Sequence, residues 1–279
     1  MQPALGEKAT MSDSANSNPT PWLGIGVFIV LAVSISLPFR WDLVEMSWLS
    51  ATVLGVPVWR ALLEGSGPIV ATLIATRGFR RHWRPITFAG SSLPHATAML
   101  AVPCLAFLLI GIPDDHGISP RLLGLVLGMT TVAYCVFEET GWRGYLQNAL
   151  QSIAPVHRYT VIGMAWYAWH LPFLAENATL GNQAVFLAVL VGASFLLGRL
   201  ADEMHSVFLA AAFHLIVNLL SFNQLFGGTT LDRKLLLIAV CVAFWIPILL
   251  HWKRHAMRPA GKTDATPEPA HGRGLPGDG

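Results

Sequence analysis

Six side chains in the apolar part of this 279-residue chain have types and spacing that could do chemistry. Glu138, Glu139 and Arg143 interrupt the stretch YCVFEETGWRGYLQ, His170 sits in WYAWHLPF, and His214 and Asn218 share AAFHLIVN. A charged side chain at the centre of a membrane helix costs about 2.5–3.5 kcal/mol on insertion scales, so such groups default to a functional reading. A carboxylate and an imidazole within reach of one water can share its deprotonation and make it a nucleophile. A second imidazole and an amide can donate to the oxyanion that follows. Glu139 and Arg143 are spaced i,i+4 with the acid first, the favourable order for an ion pair on one helix face. That division leaves Glu138 to the chemistry beside His170, with His214 and Asn218 as donors. Exchange of roles between the two glutamates is the alternative.

The same set permits a metal. Glu138, His170 and His214 with one open position form a recognised catalytic arrangement for a divalent ion such as zinc. No HExxH is present and the three come from separate segments, so metal-bound and metal-free water both stay open. The bland readings are a buried charge cluster, a core histidine bonded to a carbonyl, and interhelical glue. Trp142, Trp166, Tyr167 and Trp169 read as packing groups or interface anchors. Cys135 is a conceivable nucleophile, but a thiolate needs an electropositive, partly exposed setting.

The elements that must position these groups are membrane helices. The chain is 53% hydrophobic and 12% charged, with a mean hydropathy of +0.53, too little charge to cover a soluble domain. Its apolar stretches have membrane-spanning length, which predicts an all-α polytopic protein with about eight spans near 22–38, 51–76, 94–112, 121–150, 160–175, 184–199, 206–222 and 234–251. Arg60 and Glu64 interrupt the second, where i,i+4 spacing suggests a pair. Residues 1–20 and 253–279 read as disordered tails around a membrane domain at 21–252 that holds the motifs at 138–218.

With both termini in the cytoplasm, twelve Lys/Arg fall on the cytoplasmic side and four outside, in keeping with the positive-inside rule for a cell (inner) membrane protein. Counted from the inner ends of these spans, Glu138, His170, His214 and Asn218 lie at similar depth, roughly 12–18 Å at 1.5 Å per residue. The net charge of +2 and the lack of a basic patch exclude a nucleic-acid partner. Cys104, Cys135 and Cys241 lie in apolar runs without CxxC spacing, so a disulfide framework is not expected.

Taken in order, EETGWR, WYAWH and HLIVN resemble the EExxxR, FxxxH and HxxxN motifs of the CPBP intramembrane proteases, the CAAX-protease and bacteriocin-processing or abortive-infection family. EGSGPIVATLIATR resembles that family's GP-containing early span, so the likeness covers roughly residues 60–222. It implies an eight-span helical enzyme with its site inside the membrane, open toward the cytoplasmic side. Carried over by position, Glu138 and His170 would activate the hydrolytic water, His214 and Asn218 would stabilise the oxyanion, and Glu139 and Arg143 would support the site. The family is described both as metal-dependent and as a glutamate protease. Trp166 departs from the motif's usual Phe, which bears on pocket shape. The expected partners are a membrane-associated peptide or protein substrate and the lipid bilayer. A catalytically silent scaffold or immunity protein of the same fold is the competing expectation. A coupled transporter is disfavoured by the absence of internal repeats.

Overall fold

In lipid every backbone polar group must bond within its own segment, which favours helices wherever the chain is continuously apolar. A computed structural model of the protein describes residues 20–45, 47–78, 87–113, 117–173, 179–220 and 224–256. Among them are eight principal helices and no strand beyond a single bridge between Val53 and Val56. They are α1 (Trp22–Arg40), α2 (Val58–Gly78), α3 (Leu93–Ile110), α4 (Pro120–Ala149), α5 (Pro155–His170), α6 (Leu180–Met204), α7 (Val207–Leu220) and α8 (Leu231–Ala256). The protein is an all-α polytopic membrane protein.

Five of these, α1, α3, α4, α6 and α8, are long and apolar enough to cross a membrane. Helices α5 and α7, with 16 and 14 residues, are shorter than the ~20 residues a full crossing takes. Both carry motif residues in their last turns. Proline opens α4 and α5, where the missing N–H costs nothing. Thr179 caps α6 by accepting from the Asn182 amide at 3.2 Å, and His205 ends that helix in the left-handed conformation at φ 51°.

Several expected boundaries move. The second span begins at Val58 rather than residue 51, because residues 53–56 fold into a tight turn with Gly55 at φ 79°. Within it Arg60 does bond Glu64, at 2.8 Å, and also Asp42 at 2.7 Å. Helix α5 starts at Pro155, five residues early, and stops at His170, after which Leu171–Phe173 form a single 3₁₀ turn. Helix α8 continues to Ala256, so the first residues of the expected C-terminal tail are helical. The rest of both tails, Arg80, Arg81 and Arg84, and most of the PDDHG loop lie outside the described residues.

Packing divides into two cores that share α4. One joins α3, α7 and α8 to the first half of α4. The other joins α1, α2, α5 and α6 to its second half and surrounds the motif residues. Close approach in the second core depends on glycine: a Cβ on Gly67 would stand 2.1 Å from the Ala32 carbonyl oxygen, and one on Gly141 would stand 2.4 Å from Cβ of Pro68. Small residues let membrane helices touch backbone to backbone in this way. At that contact α4 widens into a π-helical turn over Thr140–Leu146, a local irregularity that recurs at functional sites.

Candidate active site

Glu138 and Glu139 end the regular part of α4, and both are fully buried. As successive residues they point in directions about 100° apart, so each meets a different neighbour. Glu139 Oε1 accepts from Arg143 Nη1 at 2.8 Å, the expected i,i+4 pair, and also from His214 Nδ1 at 2.7 Å. Arg143 reaches on to Ser194 Oγ of α6 at 3.3 Å, and its guanidinium stands 4.9 Å from the centre of the Trp166 ring. Three helices are thereby tied to one carboxylate.

Glu138 is held differently. Its Oε2 accepts from the indole N–H of Trp166 at 2.7 Å and of Trp142 at 3.3 Å, while Oε1 makes no hydrogen bond to protein. One oxygen is fixed and the other is left to a water or substrate proton. The tryptophans were expected to be packing or interface anchors. Trp142 and Trp166 are instead direct partners of Glu138: Trp142 stands at i+4, a spacing that was open to reading, whereas no i,i+4 rule could reveal the Trp166 contact across 28 positions. The Trp166 departure therefore touches the carboxylate itself, since phenylalanine at that position has no N–H to give. Trp166→Phe is expected to lower turnover by roughly tenfold, through loss of a charge-assisted bond, without unfolding the protein. Steady-state kinetics beside a thermal melt would check this.

His170 donates from Nδ1 to the Trp166 carbonyl at 2.9 Å. A carbonyl can only accept, so the neutral ring carries its proton on Nδ1 and its lone pair on Nε2. Trp166 thus links Glu138 and His170 through its indole and its carbonyl. The early start of α5 puts His170 at that helix's far end. His214, near the middle of α7, lies level with Glu139, and His170 lies one turn beyond Trp166.

Asn218 donates from Nδ2 to the Cys135 sulfur at 3.1 Å. Sulfur is a weak acceptor, so that amide loses little in turning to a stronger one. Cys135 is thus a resting partner for a donor, and Cys135→Ala is expected to keep turnover within about threefold, the loss being one weak bond. Loss of all activity in that variant would instead point to a thiol nucleophile.

The Nδ1 atoms of His214 and His170 bond Glu139 and a carbonyl, and Glu138 Oε2 bonds two indoles. Metal-ligating histidines hold their second ring nitrogen in the same way, so these bonds do not separate metal-bound from metal-free water. Among the described residues no group of three His, Cys, Asp or Glu side chains is set to hold an ion. No step below passes through a metal.

A family model described as Type II CAAX prenyl endopeptidase Rce1-like matches residues 120–220, from the start of α4 to the end of α7. CAAX prenyl protease 2 of Methanococcus maripaludis is 30% identical over an alignment of 189 residues that covers 58% of this chain and 66% of the relative. Both matches support a CAAX-type protease of the CPBP family. The chain spans just under two thirds of that relative's length.

The structure adds a support from outside residues 120–220. Arg40, in the last turn of α1, donates to the Trp169 carbonyl, and its guanidinium lies 3.5 Å from the centre of the Trp169 ring. The Trp169 indole donates in turn to the Ala32 carbonyl at 3.1 Å and to Ser36 Oγ at 3.3 Å. The last carbonyls of a helix lack partners and attract a cation, and α1 supplies one beside His170. Sequence placement made Arg40 an outer loop charge, and only its burial reveals this role. Arg40→Ala is expected to cut turnover roughly tenfold to a hundredfold by displacing His170, with partial recovery in Arg40→Lys. Paired kinetics of the two variants would read it.

Proposed function

We propose that the protein is an intramembrane endopeptidase of the CAAX-prenyl-protease type that hydrolyses a peptide bond of a membrane-tethered substrate near a membrane face. The observation that carries this reading is the state of Glu138: buried, pinned through one oxygen by two indoles, with its other oxygen unengaged by protein and with Trp166 bonding both it and His170. The family resemblance adds the motif roles, and the printed name of the M. maripaludis relative supplies the substrate class.

In the proposed step Glu138 Oε1 takes a proton from a water oriented by the lone pair on His170 Nε2, and the oxygen attacks the scissile carbonyl carbon. The negative charge that develops on the carbonyl oxygen receives N–H bonds from Asn218 and from Nε2 of His214. Donation from Nε2 requires His214 to carry both ring protons in that step, with Glu139 as the carboxylate facing it. The proton held by Glu138 then passes to the leaving amine as the C–N bond breaks, and a carboxylic acid and an amine are released. Glu139, Arg143 and Ser194 hold the three helices in register throughout.

Lys/Arg asymmetry supports an orientation with both termini in the cytoplasm of a cell (inner) membrane, which reporter fusions at each end would test. The substrate reading is tested with purified protein in proteoliposomes, offered matched peptides with and without a C-terminal prenyl group, and products identified by mass spectrometry. Internal cleavage of the prenylated peptide alone supports the CAAX-type reading, and cleavage of both broadens it to membrane-tethered peptides. Cleavage of neither, across a peptide library, favours a silent scaffold. Metal content and turnover after stringent chelation, measured on the same sample, decide between metal-free and metal-bound water.

A further inference from the structure

A hydrolase consumes one water for every bond it cuts, and Glu138 lies sealed from bulk solvent among tryptophans. At the end of α4 away from His170 is a cavity of about 400 Å³, lined by polar groups that include Thr87, Ser91, Gln151 and Asp202. Arg143, Gly144 and Gln147 form its wall on α4. From there to Glu138 the helix carries a succession of buried polar atoms that no protein group satisfies: Gln147 Oε1, Arg143 Nε, Glu139 Oε2 and Glu138 Oε1. Glu139, Arg143 and Gln147 recur every four residues, so they form one strip along the helix. From Gln147 to Glu138 the helix rises about 13 Å at 1.5 Å per residue.

Buried polar atoms are overwhelmingly satisfied in native proteins, and those without protein partners take ordered water, which needs two to four polar contacts. Four such atoms in a row, ending at the proposed base and beginning at a cavity, are hard to reconcile with a dry helix interface. Their chemistry alternates usefully. Gln147 Oε1 accepts a water proton, Arg143 Nε donates to a water oxygen, and the two carboxylate oxygens accept again. The π-helical turn over Thr140–Leu146 occupies the same stretch.

We propose that the cavity beside Gln147 is the water inlet of the site, and that a file of waters runs from it along α4, past Arg143 and Glu139, to Glu138. The inlet serves the hydrolytic role proposed for Glu138 and rests on that reading for its purpose, though not for its detection. The inlet lies toward the end of α4 away from the ends of α5 and α7 that carry His170 and Asn218.

Radiolytic hydroxyl-radical footprinting of the full-length protein in nanodiscs detects bound water directly, because oxidation requires water beside the labelled ring. Trp142 and Trp166 touch Glu138, while Trp245 is equally buried and bonds the Met99 carbonyl in the other core. The expected result is oxidation of Trp142 and Trp166 at least about fivefold faster than of Trp245, since only the first two adjoin the file. Gln147→Leu, and independently Ala201→Leu across the cavity, should each lower that labelling about threefold or more by displacing water. They should also reduce kcat about tenfold while KM stays within about twofold, because water supply and not peptide binding is impaired. Labelling of Trp142 and Trp166 at the rate of Trp245 would overturn the inlet. So would unchanged labelling in whichever of the two variants folds. Labelling as expected without any peptidase activity would leave the inlet standing and remove the proposed function.

Discussion

Glu138→Gln is expected to lower peptide turnover by about a hundredfold to ten-thousandfold, the usual range for loss of a general base, while leaving the fold intact. Glutamine matches glutamate in size and still offers one oxygen to the Trp166 and Trp142 indoles, so the packing around position 138 need not change. What it lacks is the ability to take a proton from water. Substrate binding should be little affected, so the loss should appear in kcat, with KM within a few-fold. The companion substitution Glu139→Gln separates the two acids. If Glu139 serves to hold Arg143 and His214, its loss should impair stability as well as rate. A rate loss at 139 with full stability, and none at 138, would exchange their roles.

Arg143→Ala is the second large effect, and it falls on stability. The guanidinium is 4% exposed and pairs with a carboxylate that is fully buried. Removing one partner of a buried pair strands the other, at a cost of about 3–5 kcal/mol. Here the Ser194 hydroxyl would lose its donor too. In a detergent-solubilised sample this corresponds to a fall in Tm on the order of 10 °C for a chain of this size. Replacing both charges together, as Glu139→Gln with Arg143→Met, should restore much of that loss, because a neutral pair needs no desolvated charge to be balanced. The double variant should stay inactive. Additive destabilisation of the two single changes would instead mean that the pair contributes nothing beyond its separate members.

The legibility of this molecule divides along the line between local and tertiary physics. Continuous apolar runs made α1, α3, α6 and α8 readable, and the i,i+4 spacing of Glu139 with Arg143 and of Arg60 with Glu64 named two pairs that the structure contains. Helix α5 was misjudged at its start because His157 and Arg158 look like loop residues. Arg158 is helical and buried because Asp202, 44 positions away, bonds it together with Tyr159. The expected start at residue 51 failed because an apolar composition does not reveal the turn that ends at Val56. Within the site, residue types and order were visible, yet the pairing was not. His214 turns to Glu139 across 75 positions, and Glu138 turns to Trp166. Helix packing decides such choices.

Arg40 illustrates the same limit from outside the motifs. It stands in α1, beyond the 120–220 region that carries the family signature, and nothing in its neighbourhood of sequence distinguishes it from a loop charge. Its role depends on the close approach of α1 to the end of α5, where Trp169 is gripped from Ala32, Ser36 and Arg40. That grip fixes the residue next to His170, where α5 ends and a 3₁₀ turn begins.

Turnover of a membrane-tethered peptide by the purified wild-type protein, compared side by side with Glu138→Gln and His170→Ala, tests the central claim most directly. The expected result is cleavage of an internal peptide bond by the wild type and a loss of at least about a hundredfold in each variant, with all three proteins equally folded by thermal melt. Equal turnover in the three samples would contradict the assignment of Glu138 and His170 to the hydrolytic step.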